Sequence, residues 1–301
     1  MFKALIPGAL IMAMLAACSQ EATPPAEVST QAVKPTAAAP APVVKDVFAS
    51  QSEEVQARYV YRHPQETLEF FGIEPGMTVA EALPGGGWYS KILLPLLGGE
   101  GKLIGIDYAL DMFPKFGFFS AERIEAKKTW TTTWTADANS WRTDDSAVVS
   151  AFVFGSMPEE SKGVADAFLF IRALHNLNRF EGDGGYLTAA LRDAYDVLKP
   201  GGIVGVVQHM APEDKADDWA DGSKGYLKKS LVIKKFEEAG FEFVASSDVN
   251  LNPDDQPGDE DIVWRLPPTL ATSRDNPELR QQMLAVGESN RMTLKFRKVE
   301  R

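Results

Sequence analysis

The chain has 301 residues, with 31 lysines and arginines against 42 acids, a net charge of −11 and one cysteine. Its 45% hydrophobic and 24% charged residues are those of a globular protein rather than a disordered one. The acidic balance argues against coating a nucleic-acid backbone, one cysteine excludes an internal disulfide or a Cys-rich zinc site, and three histidines leave little for a metal centre.

The first residues read as an address. Lys3 gives a positive start, an apolar run follows from Ala4 to Leu15, and Leu15-Ala16-Ala17-Cys18 closes it. This is the pattern of an export signal, and the run is too short to span a bilayer comfortably. An ordinary signal with an incidental cysteine is the alternative. The Leu-Ala-Ala-Cys ending resembles the lipobox of bacterial lipoproteins. That resemblance implies removal of residues 1–17 and lipidation of Cys18. With Ser19 next, it implies an outer-membrane anchor facing the periplasm. Residues 18–47 are rich in Ala and Pro and show neither helical nor strand periodicity, so they read as a tether. Residues 48–301 are expected to form one domain.

Within that domain, Glu53 to Phe71 reads as helical, broken at His63-Pro64, where Pro64 can open a new helix. Met77 to Leu83 is a buried-strand candidate. Pro84-Gly85-Gly86-Gly87 follows, then a helix from Trp88 to Leu97 and a second strand from Lys102 to Asp107. Glu122 to Trp141 reads as a helix with poor material at Thr131 to Thr133. Further strands are expected at Ala147 to Phe154, Ala165 to Leu174, Ile203 to Gln208, Phe241 to Ser246 and Arg291 to Lys298. Helices are expected at Leu187 to Leu198, stopped by Lys199-Pro200-Gly201-Gly202, and at Leu227 to Ala239. Asn252 to Asp261 is acidic and Pro-containing, and reads as a loop. Alternating strands and helices predict an α/β fold: a Rossmann-like, doubly wound, mostly parallel sheet in a single domain. Its ligands are expected outside the carboxyl ends of the strands.

The glycine turn after the first strand is the main functional clue, because glycine lets the backbone approach a ligand closely. Glu81 precedes it on the strand, and Asp107 ends the second strand. The G-x-G-x-x-G spacing of dinucleotide sites is missing, which disfavours a nicotinamide-dependent oxidoreductase.

In these residues the chain resembles the class I S-adenosylmethionine (SAM) dependent methyltransferases. Glu81 matches that family's acid, Gly85 and Gly87 its second and third glycines, and Asp107 the acid that holds the ribose hydroxyls. Leu83 stands where the first glycine belongs. Lys199-Pro200-Gly201-Gly202 matches the turn into the fifth strand. Arg62-His63-Pro64, Leu174-His175-Asn176 and Leu294-Lys295-Phe296-Arg297 resemble a bacterial envelope subgroup of methyltransferase-like proteins, and the likeness covers about residues 50–301. It implies SAM as cofactor, bound by Glu81, Pro84, Gly85, Gly86, Gly87, Asp107 and Tyr108. It implies methyl transfer to a small or envelope-associated acceptor.

A carboxylate suits adjacent hydroxyl donors, which gives Asp107 its reason. His175 and His209 follow the fourth and fifth strands, so either is a candidate base on the same rim. Trp88, Tyr89, Tyr108, Phe113, Phe116, Phe118 and Phe119 line an acceptor pocket or pack the core. No metal-ligand spacing is present, and membrane attachment is expected through the lipid alone. A non-catalytic binding module on the same fold is the second reading, because an exported compartment is not expected to hold abundant SAM.

Overall fold

The computed structural model describes residues 44–300. The signal segment 1–17, Cys18 and the expected tether as far as residue 43 lie outside the described residues. The tether's last four residues do not stay extended: α1 spans Val44–Ala49 and buries Val47 and Phe48, so the apolar Val-Phe pair draws the chain into the fold.

Three short helices follow: α2 (Glu53–Gln56), α3 (Tyr59–Arg62) and α4 (Pro64–Phe71). His63 joins the last two with a left-handed backbone, φ 38°, and Pro64 opens α4 where a missing N–H costs nothing. Then come β1 (Thr78–Ala82), α5 (Ser90–Leu97) and β2 (Lys102–Asp107). A 3-10 turn at Leu110–Phe116 leads into α6 (Ala121–Lys127) and α7 (Trp130–Ser140), which split the one long helix expected there. The chain continues through β3 (Val148–Val153), β4 (Ala165–Ile171), α8 (Leu174–Arg179), α9 (Glu181–Gly184) and α10 (Tyr186–Val197). It ends with β5 (Leu198–Ala211), β6 (Leu227–Lys228), α11 (Lys229–Glu238), β7 (Phe241–Ser247), α12 (Pro277–Val286) and β8 (Arg291–Lys298).

The main sheet runs β3-β2-β1-β4-β5-β8-β7, with β6 paired to β5 alone. The first five strands of that order are parallel, and β8 runs antiparallel to both β5 and β7. This is the Rossmann-like, doubly wound sheet of the class I methyltransferase type. Alternation along β1 and β4 sorts the core. Ala80, Ala82, Phe168 and Phe170 face the side of α8, α10 and α11, whereas Val79, Ala167 and Leu169 face α1, α4, α5 and α7. Phe236 of α11 stacks on Phe296 of β8 at 4.4 Å, and both are fully buried, each contributing roughly 1.5–3 kcal/mol.

Two expected boundaries move. Lys199-Pro200-Gly201-Gly202 does not stop a helix ahead of the strand but bulges within β5. Ala165 pairs with Leu198 and Ala167 with Ile203, so four residues loop out against one. Gly201, at φ 72°, supplies the left-handed turn. The fourth strand ends at Ile171 rather than Leu174, and the chain turns into α8.

The chain order reverses between β1 and β4, so the crevice at their carboxyl ends is the switch point where such sheets take ligands. A long excursion, residues 248–290, crosses this end. It is pinned by a buried ion pair: Arg265 Nη2 donates to Asp255 Oδ1 at 2.8 Å, and Tyr226 Oη donates to the same carboxylate at 3.1 Å. Among the described residues no helix is long and apolar enough to cross a membrane.

Candidate functional site

The carboxyl-end rim divides into two parts. The first holds the predicted cofactor residues. Glu81 lies on the α5 side of β1, buried, and its Oε2 accepts from Ser90 Oγ at 2.6 Å. Burial pushes its carboxyl up to about 7, and the Ser90 hydrogen bond only partly offsets this. The turn after β1 starts at Leu83, whose φ of 54° is a left-handed conformation strained for a leucine. It occupies the position where glycine was expected, and the structure keeps the glycine geometry without the glycine. A Cβ on Gly86 would meet nothing within 4 Å, so that face of the loop is open. At Gly87 a Cβ would lie 2.3 Å from the Trp141 ring, so Gly87 is required by packing against Trp141. Trp88 and Tyr89 remain in turn conformation, and α5 starts at Ser90.

Asp107 ends β2 with a buried carboxylate. Its Oδ1 accepts from the Tyr108 N–H at 2.9 Å, and its Oδ2 pairs with Lys127 Nζ at 2.8 Å. Lys127 comes from α6, a helix with no buried residue of its own. Tyr108 receives a hydrogen bond from Asn176 Nδ2 at 3.1 Å and packs on Phe113 and Phe116. Burial pushes its phenol well up. Phe116, Phe118 and Phe119 continue that aromatic stack. Trp88 instead packs on Tyr59 and Tyr89, with the Arg62 guanidinium 4.5 Å above its ring. A cavity of about 390 Å³ opens beyond Asp107 at the ends of β2 and β3, lined by Ala109, Asp111, Phe154, Gly155 and Tyr186.

The second part brings together both candidate bases. His175 lies in the first turn of α8, not on a loop, and His209 lies in β5; their ring centroids are 5.5 Å apart. Gln208 Nε2 donates to the Gly225 carbonyl at 3.0 Å, which turns Oε1 to His175 Nδ1 at 3.4 Å. An amide oxygen only accepts, so Nδ1 carries the proton and Nε2 is bare. Burial holds the His175 imidazole down at about 4, against the pull of Gln208. His209 Nδ1 meets Ser289 Oγ at 2.5 Å. Burial first, then His175 and Arg172, keep it well below its ordinary value. Both rings are therefore neutral at pH 7. Gly222, at φ 101°, packs against α8, where a Cβ would lie 2.0 Å from the His175 carbonyl oxygen.

The two histidines line a pocket of about 220 Å³ with Leu83, Ile171, Arg172 and Ser289, roofed by the segment Val263 to Thr269. Sequence reasoning missed Arg172 and this roof. Arg172 was absorbed into the strand ending at Leu174. A charged residue in that apolar run was the one signal available. None of the aromatics expected to line an acceptor pocket is among the residues lining this one. Another cavity of about 390 Å³, between α10 and α11, holds no candidate residue. Among the described residues no group of three or more His, Cys, Asp or Glu could hold a metal ion.

No family model matches the chain, and no curated protein matches it. Solved structures align with it at low identity. The geranyl diphosphate C-methyltransferase of Streptomyces coelicolor aligns over 83% of this chain and 84% of its own, with 12% identity and a TM-score of 0.48. The cyclase SpnF aligns over 80% and 81%, with 18% identity and a TM-score of 0.46. A SAM-dependent methyltransferase of Aquifex aeolicus aligns over 69% and 93%, with 17% identity and a TM-score of 0.45.

Proposed function

We propose that the chain is a SAM-dependent methyltransferase, exported and held to the cell envelope by lipid on Cys18. The observation that carries this is the placement of the glycine turn and Asp107 side by side at the switch point, with a second pocket next to them at the ends of β4 and β5. The donor set suits the cofactor. Asp107 would accept from the two ribose hydroxyls, and the open face at Gly85 and Gly86 would take the methionine tail beside Glu81. The cavity beyond Asp107 would take the adenine. When bound, SAM supplies an electrophilic methyl group whose bond electrons leave with the sulfur.

The chain's own contribution is to position and to keep dry. Leu83 carries the turn between the two parts of the rim, and the roof segment excludes water from the acceptor side. His175 presents a bare Nε2 that can receive the acceptor's proton, although so weak a base adds little driving force at pH 7. The acceptor is small or envelope-associated, and the location is the outer membrane facing the periplasm.

A second reading, a non-catalytic binding module, is favoured by one observation: Lys127 already occupies the Asp107 carboxylate. Methyl-labelled SAM incubated with the purified full chain and envelope extract decides between them. Transfer of label that is lost in Asp107→Ala supports the enzyme. SAM binding with no label in any fraction supports the binding module.

A further inference from the structure

The rim beneath the roof segment holds more positive charge than it neutralises. Four guanidinium groups, on Arg58, Arg62, Arg172 and Arg291, act on one carboxylate, Glu288. Both oxygens of Glu288 are taken: Arg58 and Arg62 donate to Oε1, and Arg62 and Arg291 to Oε2. Arg291 directs its remaining donors at the carbonyls of Ser289 and Tyr61. Arg172 receives nothing. Among the described residues no group accepts a hydrogen bond from its guanidinium or pairs with it at ion-pair distance. A guanidinium has five N–H donors, and an unpaired one beside other cations is unfavourable.

The backbone at this residue is also strained. Arg172 has φ 57°, a left-handed conformation that is unfavourable for a bulky residue. The fold thus keeps an arginine in an unfavourable conformation, next to like charges, lining a pocket of about 220 Å³. The rest of the lining is apolar (Leu83, Ile171, Trp264, Leu266) or neutral and polar (His175, His209, Ser289), apart from Glu288, which is already paired. Such a pocket suits a small, partly polar ligand with one negative end.

We propose that this pocket binds the methyl acceptor through an oxyanion on it, a carboxylate or a phosphate, with Arg172 as the anchoring side chain. The word acceptor rests on the methyl-transfer reading; the anion site does not. An oxyanion would satisfy several of the fork's donors at once and reduce the repulsion among the four arginines. The anion acts as a handle, since a carboxylate paired with arginine is a poor nucleophile. The methylated atom therefore lies elsewhere on the same molecule.

Calorimetric titration of the full chain with two probes tests this: benzoate for a carboxylate on an apolar body, and inorganic phosphate. The expected result is saturable 1:1 binding of at least one probe, weakened at least about tenfold in Arg172→Met and less in Arg172→Lys. Benzoate binding alone assigns a carboxylate, and phosphate binding alone a phosphate. Thermal melting without ligand should show Arg172→Met at least as stable as the parent, because it removes a repelled charge. If Arg172→Met fails to fold, Arg172→Lys carries the same comparison. Equal probe affinity in parent and variant, or no saturable binding of either probe at millimolar concentration, overturns the proposal. SAM titrated separately keeps the two readings apart. Probe binding without SAM binding leaves the anion site and removes the methyltransferase. SAM binding without probe binding does the reverse.

Discussion

Glu81 makes the site's electrostatics measurable without knowing any ligand. Its carboxyl is buried on β1 with a single hydroxyl partner, and its pKa rises from 4.5 to about 7. The folded chain therefore holds this proton more tightly than the unfolded chain does. The stability it confers is present in full below about pH 4.5 and is lost as the pH rises through about 7. That difference corresponds to about 3 kcal/mol. Glu81→Gln keeps an oxygen to accept from Ser90 and never ionises. Relative to the parent it should gain about 1 kcal/mol at about pH 5.5 and about 3 kcal/mol at about pH 8. Chemical denaturation of both proteins at the two pH values reads the difference. A gap that stays constant with pH, or that shrinks as pH rises, would refute the burial argument for this residue.

Four further outcomes follow from the same geometry. Lys127→Met frees the Asp107 carboxylate and should tighten SAM binding several-fold by calorimetry. Its cost in stability should be under about 1 kcal/mol, since the lysine is partly exposed. The His175 imidazole sits at about 4 when folded, so its own contribution to stability should fall as pH drops below about 6.5, by about 2 kcal/mol at about pH 5, against the opposite trend from Glu81. His175→Gln should remove that share of the pH dependence and leave those of His209 and Glu81; a slope unchanged from the parent's would place the titration elsewhere. Asp255→Asn removes the buried carboxylate of Arg265, leaving it the more exposed Asp261 at 3.5 Å, and should cost about 3 kcal/mol, with faster hydrogen exchange across the roof segment. Asp107→Ala should weaken SAM binding more than His209→Ala does, because only Asp107 lies on the cofactor side of the rim; equal losses of affinity would end that division.

The sheet was legible because its inner strands are short apolar runs bounded by turns, and Lys102–Asp107 and Arg291–Lys298 fall where the residue pattern puts them. The position of β8 between β5 and β7 was not legible, since an antiparallel insertion leaves no mark on a local pattern. The Lys-Pro-Gly-Gly segment reads as a helix stop, yet its Gly201 turn serves a bulge that only the pairing with Ala165 and Ala167 defines. Glu81, the glycines and Asp107 stood out because a glycine turn follows an acid on the first strand and a second acid ends the next. Arg172 did not, because its meaning depends on Glu288 and Arg291, more than a hundred residues away, already satisfying one another. The roof was hidden for a related reason. Asn252 to Asp261 has a loop's composition, and only burial of Asp255 against Arg265 shows that it braces the roof segment from behind. The paired histidines were placed on one rim by strand order, but their neutral state comes from burial and their 5.5 Å spacing from tertiary packing, neither of which a local pattern shows.

The most direct test of the central claim is calorimetric titration of SAM into the purified full chain, with NAD as control and Asp107→Ala alongside. The expected result is 1:1 SAM binding in the micromolar range, no NAD binding, and loss of SAM affinity in the variant. A well-folded chain that does not bind SAM, or one whose affinity is the same without the Asp107 carboxylate, would contradict it.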